Sequence, residues 1–456
     1  MEEFFENEAV KRFEEMLENN EELFFDLEEY DDIISYYLEI GDYQYADTAI
    51  RYALKLYPNA PEIKVRKLEL HLEKNENIQA KSLMDELKGL ADENLDYHIC
   101  CAKYYSNMGK SYKAIEICER ALDFEEDQDF LHNFIADEFQ ILGDPFMALK
   151  HYKLALKYEP NEEYSLQSVI SCLVALNKTT EAIEFVNGYL DNNPYSQIAW
   201  MEYGNIYYNQ KNYKEAIKAF DYLLAINAEA IGVYSNKAAC YEALEEWEEA
   251  IKTYQESQEY EFTKAYSYHK IGLCYRKLNQ PTNALNAMQK ALYEDPQFHQ
   301  AMISISEVYE ELGNLNEAVH FAVEATKYNE NNLDLQKKLA FLYISLGKFE
   351  EALVCLKRMV DCEPHRFYHW YAYTEVLMLI GEYEKAESTL MSGLKEHPRA
   401  ELYYQLSNCY FNLKKDNEAR AALDQAIRLN PSLIEDMQQK YPYIDKEIKK
   451  VKSKRL

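Results

Sequence analysis

The chain has 456 residues, of which 48% are hydrophobic, a fraction that is ample for a packed core. Its 80 acidic residues outnumber its 49 Lys and Arg residues, which gives a formal net charge of −31 and argues against a nucleic-acid partner. No apolar run approaches the ~20 residues that span a bilayer, and the first ten residues carry glutamates where a leader peptide needs a basic region. We therefore expect a cytoplasmic protein without membrane insertion.

Residues 1–26 carry apolar side chains at helical spacing, at Phe5, Ala9, Phe13 and Met16. This one-sided pattern predicts an N-terminal acidic capping helix that covers the open end of the segment after it. The many acidic side chains of this segment are typical of a solvated face, and an interaction surface is the alternative.

Two helical faces follow one another between residues 197 and 230. Their members are spaced by three, four or seven residues: Trp200, Tyr203, Gly204 and Tyr207, then Tyr213, Ala216 and Phe220. The spacing predicts two short amphipathic helices joined by a polar turn. Neither helix can bury its apolar face alone, so the hairpin is expected to pack against neighbouring copies of itself.

An alanine recurs at a fixed spacing of 34 residues along most of the chain. The series is Ala46, Ala80, Ala114, Ala148, Ala182, Ala216, Ala250, Ala284, Ala318, Ala352 and Ala386, and it continues at Ala419 after a spacing one residue shorter. A small side chain here lets the second helix of a hairpin approach the first closely. A larger one is expected to cost ~1–3 kcal/mol through overpacking.

Other positions recur in the same register. Proline ends many of the copies, at Pro58, Pro160, Pro194, Pro296, Pro364, Pro398 and Pro431. The eighth position is often small and the eleventh is usually aromatic, as at Gly204 and Tyr207. This pattern resembles the tetratricopeptide repeat, TPR, whose period is 34 residues.

The resemblance covers residues 27–433 and implies an all-α fold, a right-handed superhelical solenoid of antiparallel helical hairpins. We expect about twelve repeats in one continuous solenoid, of the kind found in bacterial-type cytosolic TPR proteins. Residues 434–456 are then expected to form C-terminal capping helices with a basic tail. The alternative is that this tail binds an acidic surface, such as the N-terminus of another copy, and so supports self-association.

Residue patterns that carry catalysis or bind cofactors are missing from the sequence. The twelve glycines are scattered singly, so no phosphate-binding loop is predicted, and there is no Cys-x2-Cys or His-Glu-x2-His motif. Cys355, Cys362, His365 and His369 have metal-ligand types but fall in three different parts of a repeat, which favours packing or surface roles. We expect neither a cofactor nor a metal nor an active site. The nine cysteines are expected to be reduced thiols.

In TPR proteins the first helix of each hairpin lines a concave groove, through positions 2, 5, 9 and 12 of the repeat. The resemblance therefore implies an acidic N-terminal third of the groove, with Glu28, Asp31, Glu62, Glu69 and Asp96. It implies an apolar C-terminal third, with Phe341, Ile344, Tyr368, Tyr371, Met378, Tyr404 and Phe411. This aromatic stripe is expected either to anchor a ligand or to contact neighbouring turns of the solenoid.

Between these thirds the sequence partly matches a TPR clamp for a peptide carboxylate. Asn205 and Asn236 match, Lys270 keeps the charge, and Met201 and Tyr266 depart from the pattern. These departures favour recognition of a peptide backbone over recognition of a chaperone tail. The partner-binding residues predicted around this segment are Met201, Asn205, Tyr208, Asn236, His269, Lys270 and Arg276.

The sequence thus predicts a non-enzymatic scaffold or adaptor that binds a protein or peptide partner in its concave groove. The alternative is a regulatory TPR protein that senses a peptide and changes its superhelical pitch.

Overall fold

The computed structural model of the chain describes residues 8–19, 23–328 and 332–433. These residues form 25 α-helices and no β-strand, which confirms the predicted all-α class. The chain divides into two compact units, Met1–Asn227 and Ala228–Leu456. The predicted C-terminal cap and basic tail, 434–456, lie outside the described residues, as does Phe5 of the predicted N-terminal cap.

The first unit consists of one helix followed by six helical hairpins. Its helices are α1 (Glu8–Asn19), α2 (Leu27–Glu39), α3 (Tyr43–Leu56), α4 (Pro61–Glu73), α5 (Asn77–Leu87), α6 (Leu95–Asn107), α7 (Ser111–Ala121), α8 (Gln128–Ile141), α9 (Pro145–Tyr158), α10 (Glu163–Ala175), α11 (Thr179–Asn192), α12 (Gln197–Asn209) and α13 (Tyr213–Ile226).

The described residues of the second unit also form six hairpins. Its helices are α14 (Ile231–Ala243), α15 (Trp247–Ser257), α16 (Ala265–Lys277), α17 (Pro281–Glu294), α18 (His299–Glu311), α19 (Leu315–Thr326), α20 (Leu333–Ser345), α21 (Phe349–Cys362), α22 (Phe367–Leu379), α23 (Tyr383–Glu396), α24 (Ala400–Asn412) and α25 (Asp416–Leu429). Even-numbered helices are the first helix of a hairpin in both units, and odd-numbered ones from α3 onward are the second.

The recurring alanines lie in the second helices and are completely buried. Each of the twelve, from Ala46 to Ala419, has a relative exposure of 0%. Protein interiors are packed as densely as organic crystals, so a larger side chain at any of these sites has no free volume to occupy. The steric role predicted for this position is consistent with that burial.

Glycine at the eighth position, on the first helix, also lets the two helices of a hairpin pack closely. A Cβ atom added at Gly204 would lie 2.4 Å from Cε1 of Phe220, and one added at Gly272 would lie 2.6 Å from Cγ of Met288. Both distances are far below van der Waals contact. These two glycines therefore allow α12 to pack on α13, and α16 on α17, at the observed separation.

The turn inside each hairpin contains a residue in the left-handed region of the backbone map. Glycine fills six of these positions, for example Gly143 with φ of 75°. The others hold residues with a side chain, at Asn75, Asn177, Lys211, Glu245, Asn279 and Lys414, with φ between 55° and 61°. The same turn therefore forms without glycine in half of the hairpins.

The helix α1 packs on the first hairpin of its unit through the predicted apolar face. Ala9, Phe13 and Met16 are buried, and the ring of Phe13 makes an edge contact with Phe25 at a centroid distance of 5.9 Å. Among the described residues, no helix is both long and apolar enough to cross a membrane.

Candidate functional site

Two side chains of the predicted aromatic stripe are largely exposed on first helices of the second unit. Phe341 on α20 is 61% exposed and Tyr368 on α22 is 70% exposed. Tyr368 lies against Tyr371, with ring centroids 6.3 Å apart. Tyr371, Ile344 and Phe411 are half-buried. These five residues leave apolar surface in contact with solvent.

Three predicted site residues are buried instead, which corrects the expectation that positions 5 and 12 always face the groove. Tyr404 is 0% exposed, Met378 is 7% exposed and His269 is 9% exposed. The Met378 sulfur accepts a 3.7 Å hydrogen bond from Asn408, and burial raises the pKa of Tyr404 to about 12. The physical reason for Met378 and His269 is contact with the next first helix, whereas Tyr404 packs against Leu423, Ala426 and Ile427 on α25 of its own hairpin.

His269 is held inside the second unit by polar and aromatic contacts. Its Nε2 lies 2.9 Å from the hydroxyl of Ser304, and its ring meets the edge of Phe298 at 5.2 Å. Burial, together with the nearby positive charge of Lys270, lowers the pKa of His269 to about 4. His269 is therefore uncharged near neutral pH and adds no positive charge to a binding surface.

Lys270 and Arg276, the other cationic residues predicted to bind a partner, are paired with carboxylates of the chain. Lys270 Nζ lies 2.9 Å from Glu242 Oε1, which also accepts a 2.8 Å hydrogen bond from the hydroxyl of Tyr254. The Arg276 guanidinium lies 2.5 Å from both Glu307 and Glu311. These pairs neutralise the local charge that the sequence suggested for binding an anion.

The remaining clamp residues divide between the two units. Met201, Asn205 and Tyr208 lie on α12 in the first unit, and Asn236 lies half-buried on α14 in the second. Asn205 forms a hydrogen bond with the carboxylate of Glu202 on the same helix. Tyr208 is 38% exposed and its ring meets Tyr213 edge-on at 5.5 Å.

A cationic residue that the sequence interpretation missed lies among the carboxylates of α2, α4 and α6. The Arg66 guanidinium on α4 lies 2.9 Å from Asp31 on α2, 3.3 Å from Glu69 and 3.0 Å from Asp96 on α6. Burial opposes the charge of Arg66, but its bond to Asp31 and the surrounding carboxylates leave its pKa above the ordinary value. Three acidic groups expected to attract a basic ligand therefore already share a cation.

A second surface that the sequence interpretation missed lies on α8, α10 and α12. Side chains of these first helices are bonded across the helix pairs: the Ser165 hydroxyl donates to Asn133 at 2.7 Å, and Gln167 is bonded to Glu202. The apolar side chains exposed on these helices are Phe130 at 40%, Ile141 at 69%, Tyr164 at 48%, Val174 at 40% and Tyr208 at 38%. We name these five, with Asp137 and Glu202, the α8–α12 surface.

The two carboxylates of the α8–α12 surface have neutral hydrogen-bond donors. The hydroxyls of Tyr152 and Tyr164 each lie 2.5 Å from Asp137 Oδ1, and Glu202 is bonded by Asn205 and Gln167. Burial raises the pKa of Glu202, and the two amides only partly offset that rise. Within the described residues, no Lys or Arg forms an ion pair with either carboxylate.

The residues with metal-ligand types at the predicted repeat junction are not gathered into one site. Cys355 is buried, Cys362 is exposed, and His369 is bonded through Nδ1 to the carbonyl of Met359 at 3.0 Å. Within residues 8–19, 23–328 and 332–433, no group of three or more His, Cys, Asp or Glu residues is arranged to hold a metal ion. The cysteines are free thiols, and eight of the nine are buried.

Comparisons with known proteins agree with the repeat pattern. Models of the tetratricopeptide repeat match residues 173–231, 233–265, 265–298, 311–372 and 400–433. The TPR repeat-containing protein YpiA of Bacillus subtilis is 25% identical over 361 residues, covering 76% of this chain and 80% of YpiA.

Two other relatives are matched over less than half of their own length. The wheat Hsp70-Hsp90 organizing protein is 25% identical over 50% of this chain and 40% of its own. The human protein O-mannosyl-transferase TMTC3 is 25% identical over 50% of this chain and 27% of its own.

One similar solved structure is the C-terminal part of a TPR repeat-containing protein from Cytophaga hutchinsonii. It is 17% identical, covers 51% of this chain and 95% of its own, and has a TM-score of 0.42. The repeat models, by contrast, match five stretches spread over both units, in helices whose packing depends on the recurring alanines. The chain belongs to the tetratricopeptide repeat family.

Proposed function

We propose that this chain is a non-enzymatic scaffold or adaptor that binds a protein or peptide through the exposed faces of its first helices. The observation that carries the proposal is the exposure of Phe341 and Tyr368, at 61% and 70%, on α20 and α22. Large aromatic side chains bury much area on binding and lose little conformational entropy, and they are enriched among the residues that dominate interface energies.

The surroundings of these two rings support an anchoring role. Tyr368 is flanked by Tyr371 and by Phe367, whose ring centroid lies 5.5 Å away. The guanidinium of Arg399 covers Phe367, 4.6 Å from the ring centroid, so part of this aromatic group is already held in place. A preorganised group of rings loses less entropy when a partner binds than a set of mobile side chains does.

The relatives support the same class of function. The wheat relative is named an Hsp70-Hsp90 organizing protein. The proposed contact residues are the uncharged members of the predicted groove that remain exposed or half-buried: Met201, Asn205, Tyr208, Asn236, Phe341, Ile344, Tyr368, Tyr371 and Phe411. We place this function in the cytoplasm.

The test is affinity capture with crosslinking from the source cell, using the wild type and a Phe341→Ala, Tyr368→Ala, Tyr371→Ala variant. A Tyr293→Ala variant is the control, because Tyr293 is 87% exposed but lies on α17, a second helix. We expect the triple variant to lose partners that the control retains. Identical partners for all three proteins would contradict a binding role for the aromatic group.

The same samples separate a rigid scaffold from a regulatory protein that changes pitch. We propose the rigid scaffold, for which small-angle X-ray scattering should give the same radius of gyration with and without the captured partner segment, after correction for its mass. A compaction of the chain on binding would favour the regulatory alternative.

A further inference from the structure

Carboxylates on five first helices, namely α2, α4, α6, α14 and α18, have a cation from a neighbouring first helix. Arg66 forms ion pairs with Asp31 and Asp96, and Lys270 forms one with Glu242. Lys338 on α20 likewise lies 3.1 Å from Glu310 on α18. The chain thus neutralises acidic groups on this face by pairing one first helix with the next.

The α8–α12 surface departs from this rule. None of α8, α10 and α12 contains a Lys or Arg residue. Lys178, which directly precedes α11, is paired with Glu181 at 2.9 Å. Asp137 and Glu202 therefore have neutral hydrogen-bond donors as partners, namely two phenols for Asp137 and two amides for Glu202.

Exposed apolar side chains lie on the same three helices as these two carboxylates. Tyr164, which donates to Asp137, is 48% exposed, and Val174 in the middle of the three helices is 40% exposed. Phe130 and Ile141 extend the apolar area along α8. A carboxylate whose surroundings are partly desolvated gains more from an approaching cation than a fully hydrated one does.

We propose that the α8–α12 surface binds a partner segment that combines apolar side chains with Lys or Arg, and that Asp137 and Glu202 receive its cations. This inference rests on the proposed protein-binding function and names the chemistry of one partner. Adjacent packed helices lie about 8–10 Å apart, so α8 and α12 are separated by about 20 Å. An extended segment covers that distance with about six residues, which sets the spacing of its two cations.

The test uses fluorescein-labelled peptides that differ only in charge. The first is Lys-Leu-Ser-Phe-Ser-Leu-Lys with blocked ends, and the other two carry Gln or Glu in place of both Lys residues. Fluorescence anisotropy with the full chain at low salt gives the three affinities. We expect the Lys peptide to bind about tenfold more tightly than the Gln peptide, and the Glu peptide to bind most weakly.

The variant Asp137→Asn, Glu202→Gln removes both charges but keeps side-chain oxygens that accept the same hydrogen bonds. We expect it to bind the Lys and Gln peptides equally, with the affinity for the Gln peptide unchanged. The matched control is Glu28→Gln, Glu62→Gln, which removes two exposed charges from α2 and α4 and gives the same net charge. Circular dichroism establishes that both variants are folded.

Three outcomes would overturn the inference. The first is that the wild type binds all three peptides with equal affinity, and the second is that it binds none of them. The third is that the variant and the control lose the preference for the Lys peptide equally, because the preference would then come from net charge. The proposed function would survive each of them, since it is tested separately through Phe341 and Tyr368 in the second unit. If the aromatic variant loses captured partners and the wild type shows no preference for the Lys peptide, the chain is an adaptor whose partner has different chemistry.

Discussion

The carboxylates on the first helices of the first unit have two different kinds of partner. On α2, α4 and α6 the carboxylates Asp31, Glu69 and Asp96 surround Arg66, whose side chain is only 18% exposed. On α8, α10 and α12 the carboxylates Asp137 and Glu202 have tyrosine and amide donors and no cation. In the first region these three carboxylates share a cation of the chain, whereas in the second region the two carboxylates have only neutral donors.

The difference shows that an acidic face is not by itself a binding site for a basic ligand. What matters is whether the neighbouring helix supplies the counter-charge, since a paired carboxylate gains little from a second cation. Acid, loss of Arg66 and a change in helix spacing should each change the stability of the two regions by different amounts. Acid should have the largest effect and helix spacing the smallest.

Acid should destabilise the hairpin α8–α9 more than the Arg66 region. His132 and His151 are both 6% exposed, with their Nδ1 atoms 3.2 Å apart, so one ring donates and the other accepts. Burial, the second imidazole and nearby Lys150 lower the pKa of His151 to about 4, and burial and Lys150 also lower the pKa of His132.

The lowered pKa sets the sign of the pH dependence. Between pH 6.5 and 4 the unfolded chain binds protons at these histidines and the folded hairpin does not. Their contribution to the free energy of unfolding is therefore full above pH 6.5 and is lost as the pH falls toward 4. About 3 kcal/mol should be lost over this range, since each pKa unit corresponds to about 1.4 kcal/mol. Hydrogen exchange of α8 and α9, measured by mass spectrometry, reports this loss separately from the titration of His269 in the second unit.

A His132→Leu, His151→Leu variant is the control for this titration. Its α8 and α9 amides should show much less change in protection between pH 6.5 and 4. An unchanged pH dependence in this variant would assign the effect to other groups.

Replacement of Arg66 by Met should destabilise α2, α4 and α6 by about 2–3 kcal/mol, because three partly buried carboxylates lose their common cation. In contrast, Asp137→Asn should change stability by less than about 1 kcal/mol, because an amide oxygen still accepts from both phenols. Urea unfolding of the full chain, with hydrogen exchange to locate the loss, compares the two variants. Equal losses would mean that the two regions do not differ in how they hold their charges.

The α8–α12 surface also depends on the close approach of α12 to α13. Gly204→Ala places a Cβ atom 2.4 Å from Cε1 of Phe220 and should destabilise the first unit by ~1–3 kcal/mol. Gly188→Ala is the matched control on α11, where an added Cβ meets no atom within 4 Å. That variant should raise stability by roughly 0.5–1 kcal/mol, since alanine is the better helix former. Thermal unfolding of both proteins checks the opposite signs.

The helices and their register could be predicted from the sequence because they depend on local spacing and on side-chain size. The alanine series placed a small residue at every tight contact between the two helices of a hairpin, and all twelve are buried. The aromatic exposure at Phe341 and Tyr368 also follows from their position in the repeat.

The candidate site was predicted less well, since its residues interact with side chains one repeat away. Arg66 and Asp31 are 35 positions apart, as are Arg276 and Glu311, so a search for opposite charges at that separation would have found both pairs. No comparable signal marks the burial of Met378, because it depends on how closely the next first helix packs.

The sequence by itself determined the repeat, the two helices of each hairpin and the small residues that let them touch, because sterics within one repeat decide these features. Only the tertiary structure decided which charged groups remain available to a partner. Whether Asp137 or Asp31 is neutralised depends on the side chain that a neighbouring helix brings within about 3 Å, and that distance is set by packing between repeats.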